Sequence, residues 1–326
     1  MKALIMTGHG SADVLEVGQV ERPSMLGAEL LIRVMASGLN RADILQRRGF
    51  YPAPPGVPDN ILGLEYAGIV EEVGSDVTLY QPGDRVMGLV GGGACAEFVV
   101  THEELALPIP PNLEYLQAAA LPEAFMTAYD AMVLQGGLAK NGSVAITAAT
   151  SGVGTAAVQL AGAYQATIFA STRSREKLSS LTLYGATYPV CGGSDELLEA
   201  IRSETEDGVD VVLDLVGGSG VDTLIGGLRS RGTLVLVGLL GGAKTNLNLA
   251  RLLGKRATLK GTVLRSRSHA EKRSLTESVR ANLLPLFTAG ELKPVIQSVF
   301  PLANARDAHI ALEANQHVGK ILLDHT

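Results

Sequence analysis

Tryptophan is absent from this chain, and cysteine, aromatic and charged residues are scarce. Only 18% of the 326 residues are charged, and the net charge of −6 comes without any basic block, which argues against a nucleic-acid-binding surface. Apolar residues make up 46% of the chain, a composition that excludes a disordered or coiled-coil protein. Because a domain usually has about 100–200 residues, the length suggests two domains with buried cores.

Long apolar runs are missing as well. The stretch between Lys140 and Arg173 has no charge, but glycine and glutamine interrupt it, and no window reaches about 18 continuous apolar residues. The apolar run at the amino terminus is too short for a signal peptide. Cys95 and Cys191 allow one disulfide, although two thiols in a reducing compartment fit better. We therefore expect a cytoplasmic protein with no membrane-embedded segment.

Glycine is the residue in excess, with 38 copies and no collagen-like period, which is typical of tight turns and close backbone approaches. In the first third, short segments rich in valine and isoleucine lie between glycines and prolines. They predict strands, listed here by number: 2–7, 28–36, 69–73 and 85–90. Four prolines make residues 50–59 an irregular loop. We predict a β-rich, barrel-like domain over residues 1–120.

From residue 121 onward, strands alternate with helices of about ten residues, the pattern of βαβ units. The predicted strands cover residues 143–147, 167–171, 209–213, 233–237 and 258–263. Right-handed crossovers make this an α/β domain with a doubly wound parallel sheet, which we place at residues 121–265. The remainder, 266–326, has a predicted helix at 270–289 and two short strands, and we expect it to return to the first domain.

The turn after the first of these parallel strands is a candidate phosphate site. The dinucleotide fingerprint G-x-G-x-x-G appears here in altered form, because Ala149 and Ser151 occupy the first two glycine positions and only Gly154 keeps the third. The turn follows a buried strand and begins a helix, whose first N–H groups attract anions. We predict that Ser151, Gly152, Val153 and Gly154 hold the pyrophosphate of a dinucleotide; the alternative is a turn that serves packing only.

The end of the second strand indicates which dinucleotide is preferred. NAD-binding folds usually carry an acidic residue there, which holds the ribose 2′-hydroxyl. This chain has Thr172, Arg173 and, one helical turn later, Lys177, with no acid at the strand end. Because arginine and lysine bind phosphate, the segment favours NADPH, although Glu176 weakens the positive field. The alternative is a solvated start of a helix.

Several segments together resemble one known family, the medium-chain dehydrogenase/reductases, in their zinc-free quinone oxidoreductase branch. The resemblance runs from end to end and rests on segments 37–47, 51–56, 61–65, 118–124, 151–154 and 264–267. It implies a GroES-like catalytic domain formed by residues 1–120 with the tail, and a Rossmann domain that binds NADPH. We predict further cofactor contacts from Asn40, Thr127, Gly238, Leu239 and Leu264.

The resemblance also bears on metals. Zinc-dependent members carry a cysteine and a Gly-His-Glu sequence as ligands, whereas this chain has Asn40 and Gly63-Leu64-Glu65 at the equivalent positions. Leucine cannot bind a metal, and asparagine is a poor zinc ligand. The six histidines show no metal-ligand spacing. We therefore expect no metal site.

The expected reaction is a metal-free hydride transfer from NADPH to a quinone, an ortho-quinone by preference. Asn40 can orient the nicotinamide or an acceptor oxygen, or simply cap a helix. Tyr51 can donate a proton, stack on a flat acceptor, or only anchor its loop. Two alternatives stay open: an NADPH-dependent alkenal or enone reductase, and a non-catalytic protein that binds the cofactor or RNA. We expect no nucleic-acid or membrane partner. The resemblance implies a homodimer or homotetramer formed through the strand at 257–263, an apolar run consistent with a sheet edge that must be covered.

Overall fold

The computed structural model describes residues 1–326 and divides the chain into two compact units. The catalytic unit, as we name it, consists of Met1–Met126 and Leu264–Thr326, and the nucleotide unit of Thr127–Val263. None of the helices combines the length and the apolar composition needed to cross a bilayer. Both cysteines are free thiols.

The strands are, in chain order, β1 Lys2–Met6, β2 Leu15–Gln19, β3 Glu29–Gly38, β4 Glu65–Val73, β5 Arg85–Leu89, β6 Phe98–His102, β7 Ala106–Pro108, β8 Ser143–Ile146, β9 Thr167–Thr172, β10 Tyr188–Cys191, β11 Val209–Asp214, β12 Leu228–Leu236, β13 Thr258–Gly261, β14 Ile296–Pro301 and β15 Lys320–Asp324. The α-helices are α1 Arg41–Arg47, α2 Tyr115–Ala119, α3 Pro122–Tyr129, α4 Gly152–Ala163, α5 Leu178–Leu183, α6 Ser194–Glu204, α7 Gly220–Gly227, α8 Leu249–Lys255, α9 His269–Asn282, α10 Leu284–Thr288 and α11 Ala305–Glu313.

The nucleotide unit is built on one six-stranded sheet in the order β10-β9-β8-β11-β12-β13, with every pair of neighbours parallel. The order reverses between β8 and β11, so the carboxyl ends of these two strands form the switch point where doubly wound sheets bind ligands. Its core packs Phe169, Val212 and Leu234 against apolar residues of α6 and α7. This sheet confirms the predicted α/β class.

The catalytic unit contains a seven-stranded sheet, in which β14, β15, β3, β4, β5 and β7 are neighbours in that order and β6 also pairs with β3. All its pairs are antiparallel except that of β14 with β15. A separate hairpin-like pair joins β1 and β2. Because β15 pairs with β3, the end of the chain brings Lys320 beside the end of β3, where the candidate site begins.

The prediction of one continuous helix over residues 270–289 is wrong. The structure has α9 and α10 instead, separated at Leu283 and with Pro285 in the first turn of α10. Proline lacks an N–H group and its ring clashes with the preceding turn, which disfavours one continuous helix through this position. The predicted strand 69–73 is too short, since β4 begins at the buried Glu65. A glutamate at the start of a strand gives no strand signal in the sequence.

Candidate active site and cofactor-binding residues

Asn40 precedes α1 and is tied to it through the backbone. Its N–H donates to Oδ2 of Asp43 at 2.7 Å, and the second oxygen of Asp43 accepts from the N–H of Gly63 at 3.0 Å. Burial raises the pKa of Asp43 to about 6, and the two backbone donors oppose that rise. Asp43 therefore has a structural role, holding the start of α1 against the segment that leads into β4.

The side chain of Asn40 belongs to a buried polar cluster. Nζ of Lys320 donates to Oδ1 of Asn40 at 2.6 Å and to the carbonyl of Leu39 at 2.9 Å, and pairs with Oε1 of Glu65 at 2.6 Å. Nδ2 of Asn40 donates to the same Oε1 at 2.9 Å and to the carbonyl of Gly38 at 3.3 Å. Asn40 therefore makes no side-chain cap of α1, and only its Oδ1 retains capacity, as an acceptor.

This cluster is satisfied internally. Lys320 is 5% exposed and Glu65 has no exposed surface. The three donors of the Lys320 ammonium have three acceptors, which is the condition for a buried ion pair to be tolerated. We call Asn40, Glu65 and Lys320 the ammonium cluster.

Tyr51 is held by a buried arginine. The guanidinium of Arg265 donates to the carbonyls of Gly91 at 2.6 Å and Tyr51 at 3.2 Å, and to Oε1 of Gln46 at 2.7 Å. It also lies 5.0 Å from the centre of the Tyr51 ring, within cation–π range. Burial and the nearby Glu123 raise the pKa of the Tyr51 hydroxyl, and Arg265 lowers it. The structure thus anchors Tyr51 in a defined position.

A cavity of about 720 Å³ lies inside the catalytic unit. Its wall includes Leu64, Glu123, Met126, Leu264 and Arg265. Apolar side chains with a few charged groups among them are the usual lining of a small-molecule site. The predicted residue Leu264 lies in this wall, 9% exposed.

Glu123 and Lys320 are site residues that sequence reasoning missed. The backbone N–H of Glu123, in the first turn of α3, donates to Oε2 of Glu65 at 2.8 Å. Burial and the Glu65 carboxylate raise the pKa of Glu123 to about 7. Glu123 lies within a segment that carries the family resemblance, but only the fold brings residues 65, 123 and 320 together, so no spacing could reveal the group.

In the nucleotide unit, the predicted phosphate turn has the geometry of a helix start. Ala148 adopts φ +46°, and Oγ of Ser151 caps α4 by accepting from the N–H of Gly154 at 3.1 Å. A Cβ on Gly154 would lie 2.5 Å from the carbonyl of Ala148, so this position requires glycine. The N–H groups of Gly152 and Val153, in the first turn of α4, have no intrahelical acceptor, which suits an anion.

The switch point between β8 and β11 is held by a buried carboxylate. Oδ1 of Asp214 accepts from Oγ1 of Thr147 at 2.9 Å and from the N–H of Val216 at 2.9 Å. A Cβ on Gly238 would come within 2.2 Å of the carbonyl of Leu215, so the chain after β12 packs directly on this loop. The next residue, Leu239, is 54% exposed. The predicted Gly238 and Leu239 therefore lie beside the switch point.

Thr127 provides a test of whether a dinucleotide fits. Its side chain is buried, and Oγ1 has no hydrogen-bond partner in the protein. A buried hydroxyl without a partner is unfavourable unless a ligand completes it. Together with the open N–H groups of α4, this orphaned hydroxyl fits a bound cofactor.

At the end of β9, the residues predicted to determine the preference for NADPH over NADH differ in their burial. Thr172 is buried, with its Oγ1 3.3 Å from that of Thr150, whereas Arg173 is exposed and has no salt bridge. Lys177 is partly buried, and burial lowers its pKa. The structure brings the two threonines together and leaves Arg173 in solvent.

Comparison with known proteins decides the family. Residues 27–111 match the alcohol dehydrogenase GroES-like domain, and residues 152–280 match the zinc-binding dehydrogenase family. The human synaptic vesicle membrane protein VAT-1 homolog is 32% identical over 339 residues, covering 99% of this chain and 86% of that protein. The chain belongs to the medium-chain dehydrogenase/reductase family.

Solved structures of this family agree. A quinone oxidoreductase from Pseudomonas syringae superposes with a TM-score of 0.89 at 28% identity, covering 99% of both chains. The CurK enoyl reductase superposes with a TM-score of 0.87 at 28% identity, covering 99% of this chain and 98% of that one. These matches confirm the resemblance and the fold class, and a medium-chain dehydrogenase/reductase binds a nicotinamide cofactor.

The catalytic zinc of this family does not fit the residues present. Leu64 has no donor atom, and Oδ1 of Asn40 and Oε1 of Glu65 already bind the ammonium of Lys320. A zinc site needs three or four nitrogen, sulfur or oxygen ligands that are not committed to another cation. In this medium-chain dehydrogenase/reductase, the Lys320 ammonium already binds the two oxygens that a zinc ion would need as ligands.

Proposed function

We propose that this chain is an NADPH-dependent quinone oxidoreductase that works without a metal ion. The observation that carries the proposal is the ammonium cluster, in which Lys320 takes the Asn40 and Glu65 oxygens that a metal would need. A quinone needs no Lewis acid, because accepting a hydride makes its ring aromatic. The flat acceptor is expected in the 720 Å³ cavity, whose wall includes Arg265, the residue that anchors Tyr51.

The cofactor is proposed to bind through residues described above. When bound, its reduced nicotinamide supplies the hydride. Residues proposed to hold the pyrophosphate are Ser151, Gly152, Val153 and Gly154; those proposed near the adenosine phosphate are Thr172, Arg173 and Lys177; those proposed elsewhere along the cofactor are Asn40, Thr127, Gly238, Leu239 and Leu264. Because both donors of the Asn40 amide are used, Asn40 contributes an acceptor and not a donor.

A second candidate is an NADPH-dependent alkenal or enone reductase. The close superposition on CurK enoyl reductase favours it, since that protein has the same fold over the whole chain. Reduction of an activated alkene places the hydride on carbon and makes the following proton transfer more demanding. The two candidates therefore differ in their dependence on a proton donor.

The deciding experiment is an NADPH-oxidation panel with phenanthrenequinone, benzoquinone, an alkenal and a diketone, each assayed with and without excess chelator. We expect ortho-quinones to give the highest kcat/KM and the chelator to have no effect. A preference for the alkenal would favour the second candidate. Stoichiometric zinc in the purified protein, whose removal stops turnover, would refute the metal-free reading.

We further propose a cytoplasmic homodimer or homotetramer that has no nucleic-acid or membrane partner. Two free thiols and the net charge of −6 support the location and the lack of nucleic-acid binding. Strand β13 forms an edge of its sheet and all four of its residues are exposed, with Leu253 and Val263 also exposed nearby. An open strand edge with exposed leucine and valine side chains favours pairing with a second copy, which light scattering would detect.

A further inference from the structure

We propose that Glu123 is the proton donor of the catalytic unit, passing its carboxyl proton to an acceptor bound in the cavity. This inference rests on the proposed reductase function and adds to it a residue that carries the second half of the reaction. The hydroxyl of Tyr51, a residue outside the wall of this cavity, is then not the proton source.

The position of Glu123 carries the argument. Its backbone is fixed, because the N–H donates to Oε2 of Glu65 and the residue lies in the first turn of α3. Its side chain lines the cavity together with Leu64, Met126 and Leu264. The carboxyl group makes no hydrogen bond or salt bridge within the protein, so both of its oxygens are available to a ligand.

The neighbouring arginine does not neutralise this carboxyl. Arg265 lines the same cavity, but its guanidinium donates to Gly91, Tyr51 and Gln46. An arginine whose hydrogen bonds go to backbone and amide oxygens offers charge at a distance without a direct ion pair. Glu123 is thus a carboxyl without a partner beside an apolar wall, which is an environment that favours the protonated form.

Five titratable or charged groups face Glu123 from the elements around it. They are Glu65 from β4, Asp43 from α1, Lys320 from β15, Tyr51 from its loop and Arg265 from the segment before α9. Burial, Glu65 and Asp43 raise the pKa of Glu123 to about 7, against the opposing effects of Lys320 and Arg265. A general acid works best when its pKa lies near the working pH.

The proposed step balances as follows. Reduction of a quinone to a hydroquinone requires two electrons and two protons, and a hydride from the reduced nicotinamide supplies both electrons and one proton. A bound NADPH would supply the hydride, which would leave the acceptor as a monoanion with one anionic oxygen. The O–H bond of Glu123 then breaks as a new O–H bond forms on that oxygen, and the Glu123 carboxylate recovers a proton from water.

The first test compares wild type with Glu123→Gln, which keeps the shape and a hydrogen-bond donor but cannot release a proton. With NADPH and an ortho-quinone, we expect kcat of the variant to fall by about tenfold to a hundredfold at pH 6, with KM changed by less than about twofold. Wild-type kcat should fall as the pH rises above about 7, and the variant profile should be flat. Glu123→Asp should restore part of the pH dependence.

The matched control is Glu16→Gln, which removes the same charge from an exposed strand residue in the catalytic unit and should keep the wild-type rate and pH profile. Glu123→Gln with an unchanged rate and an unchanged profile would overturn the proposal while leaving the reductase function in place. Equal losses in Tyr51→Phe, combined with a wild-type profile in Glu123→Gln, would assign the proton to Tyr51 instead.

A second measurement is independent of turnover. Catechol, a flat diphenol like the reduced product, should bind wild type more tightly above about pH 7, where the Glu123 carboxylate accepts a hydroxyl hydrogen. Its affinity for Glu123→Gln should not change with pH. If no quinone is reduced but this pH dependence is observed, the reductase function fails and the proton-exchange site remains. Catechol affinity that ignores pH in both proteins would contradict the site itself.

Discussion

The two units differ in how their charged side chains at the candidate sites are buried and paired. In the catalytic unit, the ammonium cluster is buried, and Lys320, Asn40 and Glu65 satisfy one another at 2.6–2.9 Å. At the end of β9 in the nucleotide unit, Arg173 is in solvent and has no ion pair. Charges of the first kind are set in place by folding and are costly to disturb. An exposed charge such as that of Arg173 can bind a ligand, and salt screens it.

The largest expected effect comes from breaking the ammonium cluster. Lys320→Met removes the cation and leaves the Glu65 carboxylate buried without a countercharge, so we expect the free energy of unfolding to fall by about 3–5 kcal/mol. Urea unfolding at pH 7 measures it. Replacing Glu65 by Gln in the same chain should recover part of the loss, because no charge then stays unpaired.

The control for that change is Lys2→Met, an exposed lysine in β1 whose loss should be almost neutral. A loss below about 1 kcal/mol in Lys320→Met would mean that water enters and solvates Glu65. The buried cluster would then be no different in kind from the exposed charges at the end of β9.

The second effect concerns Glu123, a half-buried carboxyl group of the catalytic unit that has no ion-pair partner. The pKa of Glu123 is raised to about 7 from an ordinary value near 4.5, so the folded state holds its proton to higher pH than the unfolded state does. Its contribution to stability is present below about pH 4.5 and is lost as the pH rises to about 7.

This shift corresponds to about 2 kcal/mol after a discount for partial exposure. Relative to wild type, Glu123→Gln should therefore gain about that much stability between pH 4.5 and pH 8. Paired urea titrations at the two pH values measure the difference. A stability difference that is the same at both values would show that Glu123 has an ordinary pKa.

The contrast between the units also explains what the sequence could predict. Periodicity identified β8, α4 and β9 and the turn between them, because a parallel sheet places chemistry at consecutive strand ends that are close in sequence. The glycine requirement at Gly154 likewise has a local cause, the close approach of α4 to Ala148.

The ammonium cluster could not be predicted in this way. Asn40, Glu65 and Lys320 lie up to 280 residues apart, and they meet only because β15 pairs with β3 and β3 with β4. A lone lysine near the end of a chain reads as a solvated charge. Glu123 was missed for the same reason, since its raised pKa arises from burial by the fold and from Glu65 and Asp43, which are remote in sequence.

The third effect concerns Thr127 of the nucleotide unit, whose side chain is buried and whose hydroxyl has no hydrogen-bond partner. Thr127→Val keeps the shape and removes the orphaned hydroxyl, so the free protein should be as stable as wild type or slightly more stable. Affinity for NADPH should fall about fivefold to tenfold, equal to one lost hydrogen bond of about 1 kcal/mol. Cofactor fluorescence measures the affinity.

Thr155→Val is the matched control, because Oγ1 of Thr155 donates to the carbonyl of Gly152 at 3.1 Å. It should lower stability, whereas Thr127→Val should not. Unchanged NADPH affinity in Thr127→Val would remove Thr127 from the cofactor site.

The smallest effects are expected at the end of β9, where charges meet water. NADPH and NADH differ by one ribose phosphate, and charge-assisted hydrogen bonds from exposed groups are weakened by solvent. Arg173 is exposed, while Lys177 is partly buried with a lowered pKa. We expect Arg173→Ala and Lys177→Ala each to reduce the preference for NADPH over NADH about threefold, within a total preference of about tenfold. Stability should not change.

The measurement is kcat/KM for both cofactors at low salt and at about 0.5 M salt, where the preference should shrink because the Debye length falls. Arg229→Ala, an exposed arginine paired with Asp210 in the same unit, is the control and should leave the preference unchanged. Equal use of NADH, or a preference that ignores both substitutions and salt, would show that selectivity comes from the buried Thr172 and not from exposed charge.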